Sequence, residues 1–402
     1  MSLDPTDDKE RASMVRLLTF YHGQGMLCDK LKVPDNYLRL PNRPPGTNRT
    51  PPTANQIQLS QKPPNSSMGT LTVFPVELLN EVLRYSVLTA ALSIRSLNRK
   101  ARLIVDNSIP YKYLTLNASA ALKILVQTKA ADYFTIDHIY HVLCHPVCSI
   151  CGVYAAYVWL PEYTRCCMPC LRQAPVFMPM TTADAKAAYG LTERALLSVP
   201  VITSIPGEYG YGMMCRKREK PVRLLSPQLA RKAAVIAHGG ETKLAEYYRT
   251  GSGSRTLNAY KKRMERLKGE ADPETGFKTP EDDITRFMMA TRVPYYDAAS
   301  GIVHTEMLGC EGCQTACRED SPDSEDSSAG EEADDLLPRF DAVYTEDTFF
   351  DHAKQCERVQ WYWKEHLKTG LPVPLEGLEN EQHFFSICPY KMLWGWRKFR
   401  NQ

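Results

Sequence analysis

The chain has 402 residues and a net charge of +3, with ordinary apolar content, enough for two or three domains at roughly 100–200 residues each. So small a charge does not by itself argue for a nucleic-acid partner, and the opening MSLDPTDDKERASM is charged with no apolar stretch of the signal-peptide type. No run approaches the ~18 apolar residues a membrane span needs, so a membrane role is excluded and the cytoplasm or nucleus is expected, where disulfides are rare.

Residues 1–69 are expected to be a disordered, Pro-rich N-terminus. From Pro41 to Pro64 the chain is dense in Pro, Asn and Thr and lacks the apolar residues that offset ordering entropy. Order is expected from Leu71. Pro75 suits a first helical position, and the VELLNEVLRYSVL after it sets Val76, Leu79 and Leu83 on a helical stripe with Leu78 and Val82 beside it. Thr89 can cap a second helix, AALSIRSLNRKARLIVDNS, whose Leu92, Leu97, Ala101, Ile104 and Val105 share an apolar face. A third short helix is predicted near 119–128. The predicted module spans 70–115, followed by a helical region with a four-cysteine site over 116–250.

That site is the strongest local signal. Thirteen cysteines is a high count for a reducing compartment. Cys148-Ser-Ile-Cys151 and Cys167-Met-Pro-Cys170 form two C-x-x-C corners separated by fifteen residues. Two tight corners bring four thiolates together as a tetrahedral zinc requires. Gly152 follows the first corner, where a positive φ is often needed, and the aromatic and branched residues of VYAAYVWLPEYTR suit a β-hairpin between the corners. This is the plan of a zinc ribbon or treble clef. A redox dithiol would not need two matched corners. Cys166 competes with Cys167 for the fourth position, and Cys144 and His145 also stand close in sequence.

Residues 251–283 read as a basic, polar linker, and 284–367 as a second zinc module. Within it VPYYDAASGIVHTEML is a hairpin candidate, and 318–335, with nine acidic residues against one arginine, is expected to be a disordered insert. Cys310-Glu-Gly-Cys313 supplies one corner. The other is His352 and Cys356, one turn apart on a helix predicted from Thr345 to Leu367, where Phe349, His352, Cys356, Val359 and Trp363 keep the rhythm of a buried face. Cys317 is a further candidate. Cys28, Cys215 and Cys388 stand alone and are expected to be incidental thiols. Residues 368–402 form an aromatic and basic tail.

Three resemblances join these parts. LTVFPVELLNEVLRYSVLTAALSIRSLNRKARLIVDNSIPYKYL resembles an F-box, with Phe74-Pro75, Glu77-Leu78-Leu79, the Leu92–Arg102 stretch and Tyr111–Leu114 at the family's marker positions. Phe74 replaces the usual leucine, and Val87 stands where an aspartate is common. The order of parts, an F-box, CSICG, YVWLPEYTRCCMPCL, AKAAYGLTERALLSVP, IPGEYG, then a C-x-x-C and the Phe349, His352, Cys356 spacing, resembles a large group of fungal F-box proteins. The first zinc module and the TTADAKAAYGL after it are similar to the group A xeroderma pigmentosum repair proteins, matching at Thr182, Ala185, Lys186, Tyr189 and Leu191.

What these resemblances imply is an α+β, mainly helical chain with an N-terminal three-helix F-box and two zinc modules. The F-box likeness implies docking on a Skp-family linker of a cullin–RING ligase through Phe74, Pro75, Leu78, Leu79 and Leu83, and presentation of a protein substrate it does not name. The repair-protein likeness implies nucleic-acid binding through the basic stretch Arg216–Lys268, which carries fifteen basic and four acidic residues. Neither a nucleophile elbow, a Walker loop nor an HExxH is present, and the histidines are scattered, so no enzyme is expected.

Overall fold

The computed structural model describes residues 8–21, 69–210, 216–249, 251–266, 270–272, 276–278, 284–305, 308–319 and 342–369. Among these residues the chain is mainly helical, with small sheets of two or three strands, an α+β fold. None of their helices is long and apolar enough to cross a membrane. The Pro-rich stretch 41–64, most of the acidic insert and the 370–402 tail lie outside the described residues.

The first core begins with short helices at Val76–Arg84, Leu88–Leu97, Arg99–Asn107, Ile109–Asn117, Ser119–Gln127 and Ile136–Cys144. The single helix expected over 90–108 is therefore two. Asn98 is extended (φ −160°, ψ 177°) and its side chain accepts from the Ala101 N–H at 2.9 Å. Asparagine competes for backbone hydrogen bonds inside a helix and is favoured at its start. Arg95 then ties the two helices together by donating to both carboxylate oxygens of Asp106, at 2.6 and 3.2 Å.

The module does not close near residue 115. The Leu88 N–H donates to the Phe134 carbonyl at 3.1 Å and the Ile136 N–H to the Ser86 carbonyl at 3.0 Å. Leu88, Tyr111, Leu125 and Leu143 belong to one buried core that runs on to Trp159 and Tyr163. Strand Tyr157–Trp159 pairs antiparallel with Thr164–Cys166 on one side and Ala290–Arg292 on the other. The second pairing draws Phe287, Met289, Val293 and Tyr296 into this same core, although the sequence placed 284–304 with the second module. Tyr295–Tyr296 and Val303–His304 form the hairpin within that segment.

The three-stranded sheet of Met180–Thr181, Arg223–Leu225 and Ile202–Thr203 gives Ile202 and Leu224 to the first core and Met180 and Leu225 to a second, which helices Thr182–Tyr189, Pro227–His238 and Glu241–Arg249 complete. The basic linker expected from 251 opens with a sixteen-residue helix, Gly251–Arg266, that buries Tyr260 in this core, with Leu257 also buried. Its apolar positions are few, so the stripe that packs is narrow and easily read as a solvated segment.

The third core gathers Met14, Leu18, Cys310, Cys313, Phe349, Phe350, Val359 and Trp363. Residues 8–21, expected to be disordered, are helix Asp8–Leu18 followed by strand Thr19–Tyr21. The helix predicted over 345–367 is interrupted: Glu346–Ala353 and Glu357–Thr369 are separated by a turn at Lys354–Cys356. Thr345 starts the first with a capping box shared with Thr348.

Candidate metal centres and an exposed helical face

The first centre is made by two backbone corners. The Cys148 N–H donates to the Val153 carbonyl at 2.7 Å, and the Gly152 N–H to the Cys148 carbonyl at 3.0 Å. Gly152 has φ +73°, a left-handed conformation that glycine adopts without a Cβ penalty. The hairpin delivers the other corner: strand Thr164–Cys166 ends beside Cys167, which caps helix Met168–Gln173, and Cys170 lies in that helix's first turn. Cys148, Cys151, Cys167 and Cys170 are thereby brought together, with all four sulfurs within 4.8 Å of one another.

The Cys151 and Cys167 sulfurs are 3.5 Å apart. A disulfide needs about 2.05 Å. Four sulfurs each about 2.3 Å from a tetrahedral ion stand about 3.8 Å apart, so the arrangement fits a four-thiolate site that could hold a metal ion. Thiols this close perturb one another. A hydrogen bond from Cys167 pushes the Cys148 thiol down to about 4, and the same contact pushes Cys167 up. Burial pushes Cys170 up to about 12. A cation resolves this conflict by favouring all four thiolates. Cys166 is fully buried in the first core and is not one of the four. Cys144 and His145 are not among them either; the Cys144 thiol is pushed up by burial, and His145 stacks on His141 with ring centroids 3.8 Å apart.

Behind this centre stands a buried arginine that no motif or spacing marks. Arg165 is 3% exposed. Its guanidinium donates to the carbonyls of Val142, Ala155, Val293, Leu143 and Pro294. Arg286, also buried, reaches the carbonyls of Leu171 and Arg172 at the end of the helix that carries Cys170.

The second centre brings together Cys310, Cys313, His352 and Cys356, again within 4.8 Å. Cys310 ends strand Leu308–Cys310, Cys313 lies in the first turn of helix Glu311–Glu319, and the Cys313 N–H donates to the Cys310 sulfur at 3.4 Å. Cys310 and Cys356 sulfurs are 3.9 Å apart, and Cys313 Sγ is 3.4 Å from His352 Nε2. These are edges of a tetrahedron of three sulfurs and one nitrogen. A hydrogen bond from Cys310 holds the Cys356 thiol well below the usual range. The helix break does not part the pair, because the Cys356 N–H still donates to the His352 carbonyl at 3.0 Å. The Tyr344 ring stacks on His352, centroids 4.5 Å apart and 22° between planes, which fixes the imidazole's orientation. His352→Ala should lower the metal content by about one ion per chain and leave the first centre unchanged; elemental analysis showing unchanged content would mean that Cys310, Cys313, His352 and Cys356 hold no ion. The side chain of Cys317 and all of Cys28, Cys215 and Cys388 lie outside what the structure describes.

The five residues assigned to partner docking are not equivalent. Phe74 and Leu78 are 52% and 53% exposed, Pro75 is exposed, Leu79 is half-buried, and Leu83 is buried at 3%. Leu83 therefore anchors the helix to the core and faces away from any partner. Val82 and Tyr85, absent from the assignment, are 60% and 63% exposed. Within helix Val76–Arg84, Leu78 and Val82 lie one turn apart, both exposed, and exposed Phe74 and Tyr85 flank the helix just before its start and just after its end.

The basic stretch 216–268 is divided. Arg216–Arg218 is an exposed strand paired with Gly207–Tyr209, while other described parts of the stretch lie in strand Arg223–Leu225 and in helices Pro227–His238, Glu241–Arg249 and Gly251–Arg266. Arg231 pairs with Glu241, Lys217 with Glu219 and Arg223 with Glu193. No family model, curated protein or solved structure matches the chain.

Proposed function

We propose that the chain is an adaptor of the F-box kind, docking through the helix Val76–Arg84 on a Skp-family linker of a cullin–RING ubiquitin ligase, with structural zinc in both centres. The observation that carries the docking role is the exposed apolar pair Leu78 and Val82, flanked by exposed Phe74 and Tyr85, on a helix that Leu83 fastens to the core. Contiguous exposed apolar surface of this sort is costly unless a partner covers it. Zinc is favoured by the donor sets: soft thiolates with at most one imidazole, in closed four-coordinate arrangements with no open position for chemistry. The ions then hold short loops in one shape, and the region behind the docking helix is free to present a protein substrate.

The test is co-purification with a Skp-family chain. Leu78→Asp with Val82→Asp should weaken capture on the order of a thousandfold, since interface anchors are worth about 2 kcal/mol or more each and every 1.4 kcal/mol is about tenfold. The melting temperature should hold, because both side chains already face water. Leu83→Ala should do the opposite, lowering stability by about 2–5 kcal/mol with binding following only as the fold fails. Undiminished capture by the double aspartate variant would refute the docking face.

A further inference from the structure

Residues 8–21 reach the second centre from nearly three hundred positions away. Strand Thr19–Tyr21 pairs antiparallel with Leu308–Cys310, which sets Thr19 opposite Cys310. The ring of Phe20 occupies the space a side chain at Gly309 would need: a Cβ there would lie 2.3 Å from its Cζ. Met14 and Leu18 are 0% and 3% exposed in the core that also contains Cys310 and Cys313. Arg11 forms an ion pair with Asp347, and its guanidinium stands over the Phe350 ring, 4.4 Å from the centroid. Asp347 and Phe350 lie on the helix that carries His352.

Each of these contacts therefore falls on an element that supplies a candidate ligand. The strand bearing Cys310 is three residues long, and its described pairings are the N-terminal strand and an isolated bridge between Leu308 and Tyr344. A strand so short is not stable by itself. Without residues 19–21, the backbone that aims the Cys310 sulfur would keep only the Tyr344 bridge and the turn into Cys313.

We propose that residues 11–21 are positioning residues of the second metal centre, so that metal affinity there and the folding of this segment are thermodynamically linked. The inference rests on the metal reading of that centre. Linkage is reciprocal: the segment tightens the ion by the same factor as the ion protects the segment.

The full chain loaded with cobalt(II) tests this, because a field of three sulfurs and one nitrogen splits the cobalt d levels more than four sulfurs do, and the two centres absorb separately. Leu18→Asp should lower cobalt affinity at the three-sulfur centre on the order of tenfold, with the four-sulfur band unchanged and Leu18→Met behaving as the parent. Hydrogen exchange on the unaltered chain supplies a second measurement. Removing the ion should strip protection from 8–21 while 182–189 keep theirs. Unchanged exchange at 8–21 after the three-sulfur band has gone would overturn the linkage and leave the metal reading intact. A chain that never shows that band would overturn both.

Discussion

Cys167→Ser is expected to cost the chain one metal ion and, with it, the fold around the first centre. The loop that carries Cys148 and Cys151 is held by backbone hydrogen bonds with little apolar packing of its own: Val147, Ile150 and Val153 are 51%, 53% and 51% exposed. The buried cluster beneath consists of Cys148, Ala155 and Cys167. Binding of a structural zinc releases about 10–16 kcal/mol in small peptides, comparable with the about 5–15 kcal/mol that stabilises a whole domain. The loss would spread, because Cys167 sits between Cys166 and Met168, both wholly buried in the main core. Thermal unfolding should shift downward by on the order of 10 °C or more, with elemental analysis showing one ion fewer. Cys166→Ala is the contrasting variant. It removes a buried thiol that is not one of the four and should cost about 1–2 kcal/mol without changing metal content. A Cys167→Ser chain that melts as the parent does would show that the ion is not what holds this region.

Local chemistry was the readable part of the sequence. Both cysteine sets, the hairpin between the first corners and the buried rhythm from Phe349 to Trp363 follow from short spacings. Two-residue corners and helical periods are properties of neighbouring residues. Sequence and structure part where a distant segment supplies the burial. Strand Ala290–Arg292 joins the first sheet at an edge, and nothing in residues 284–304 names its partner. The helix Asp8–Leu18 offers one buried pair, Met14 and Leu18, too little to distinguish it from a charged tail until the third core is present. At Asn98 the reason is different. The apolar face of 90–108 runs on through a residue whose side chain prefers to start a helix, so the periodicity alone does not show the break between two helices. Leu83 shares its apolar character with exposed neighbours, and membership of a stripe does not say which side of the helix meets the core.

Arg165→Met should destabilise the protein about as much as any single exchange away from the metal ligands, on the order of 4–5 kcal/mol, the upper end for point variants. Arginine keeps its charge in proteins, and here, at 3% exposure, burial works against that charge, pushing the group down from its ordinary value. Each donor position of the guanidinium fork is used. Nε donates to Val142, one terminal nitrogen to Ala155 and Val293, the other to Leu143 and Pro294. Val142 and Leu143 lie in the last turn of helix Ile136–Cys144, where carbonyls lack helical partners and the helix dipole favours a cation. Ala155 follows the first cysteine corner, and Val293 and Pro294 follow the third strand of the sheet. One side chain thus fastens three separate segments around the first centre, and the Arg165 carbonyl accepts from the Ser149 N–H at 3.0 Å. Methionine fills much of the volume but leaves buried carbonyls without donors, at about 1–3 kcal/mol for each that water cannot reach. Lysine keeps the charge yet lacks the planar fork, so Arg165→Lys should recover only part of the loss. Denaturant unfolding followed by tryptophan fluorescence reads this core directly, since Trp159 is wholly buried in it. A parent-like midpoint for Arg165→Met would mean that the sheet and the metal corner support each other without the arginine.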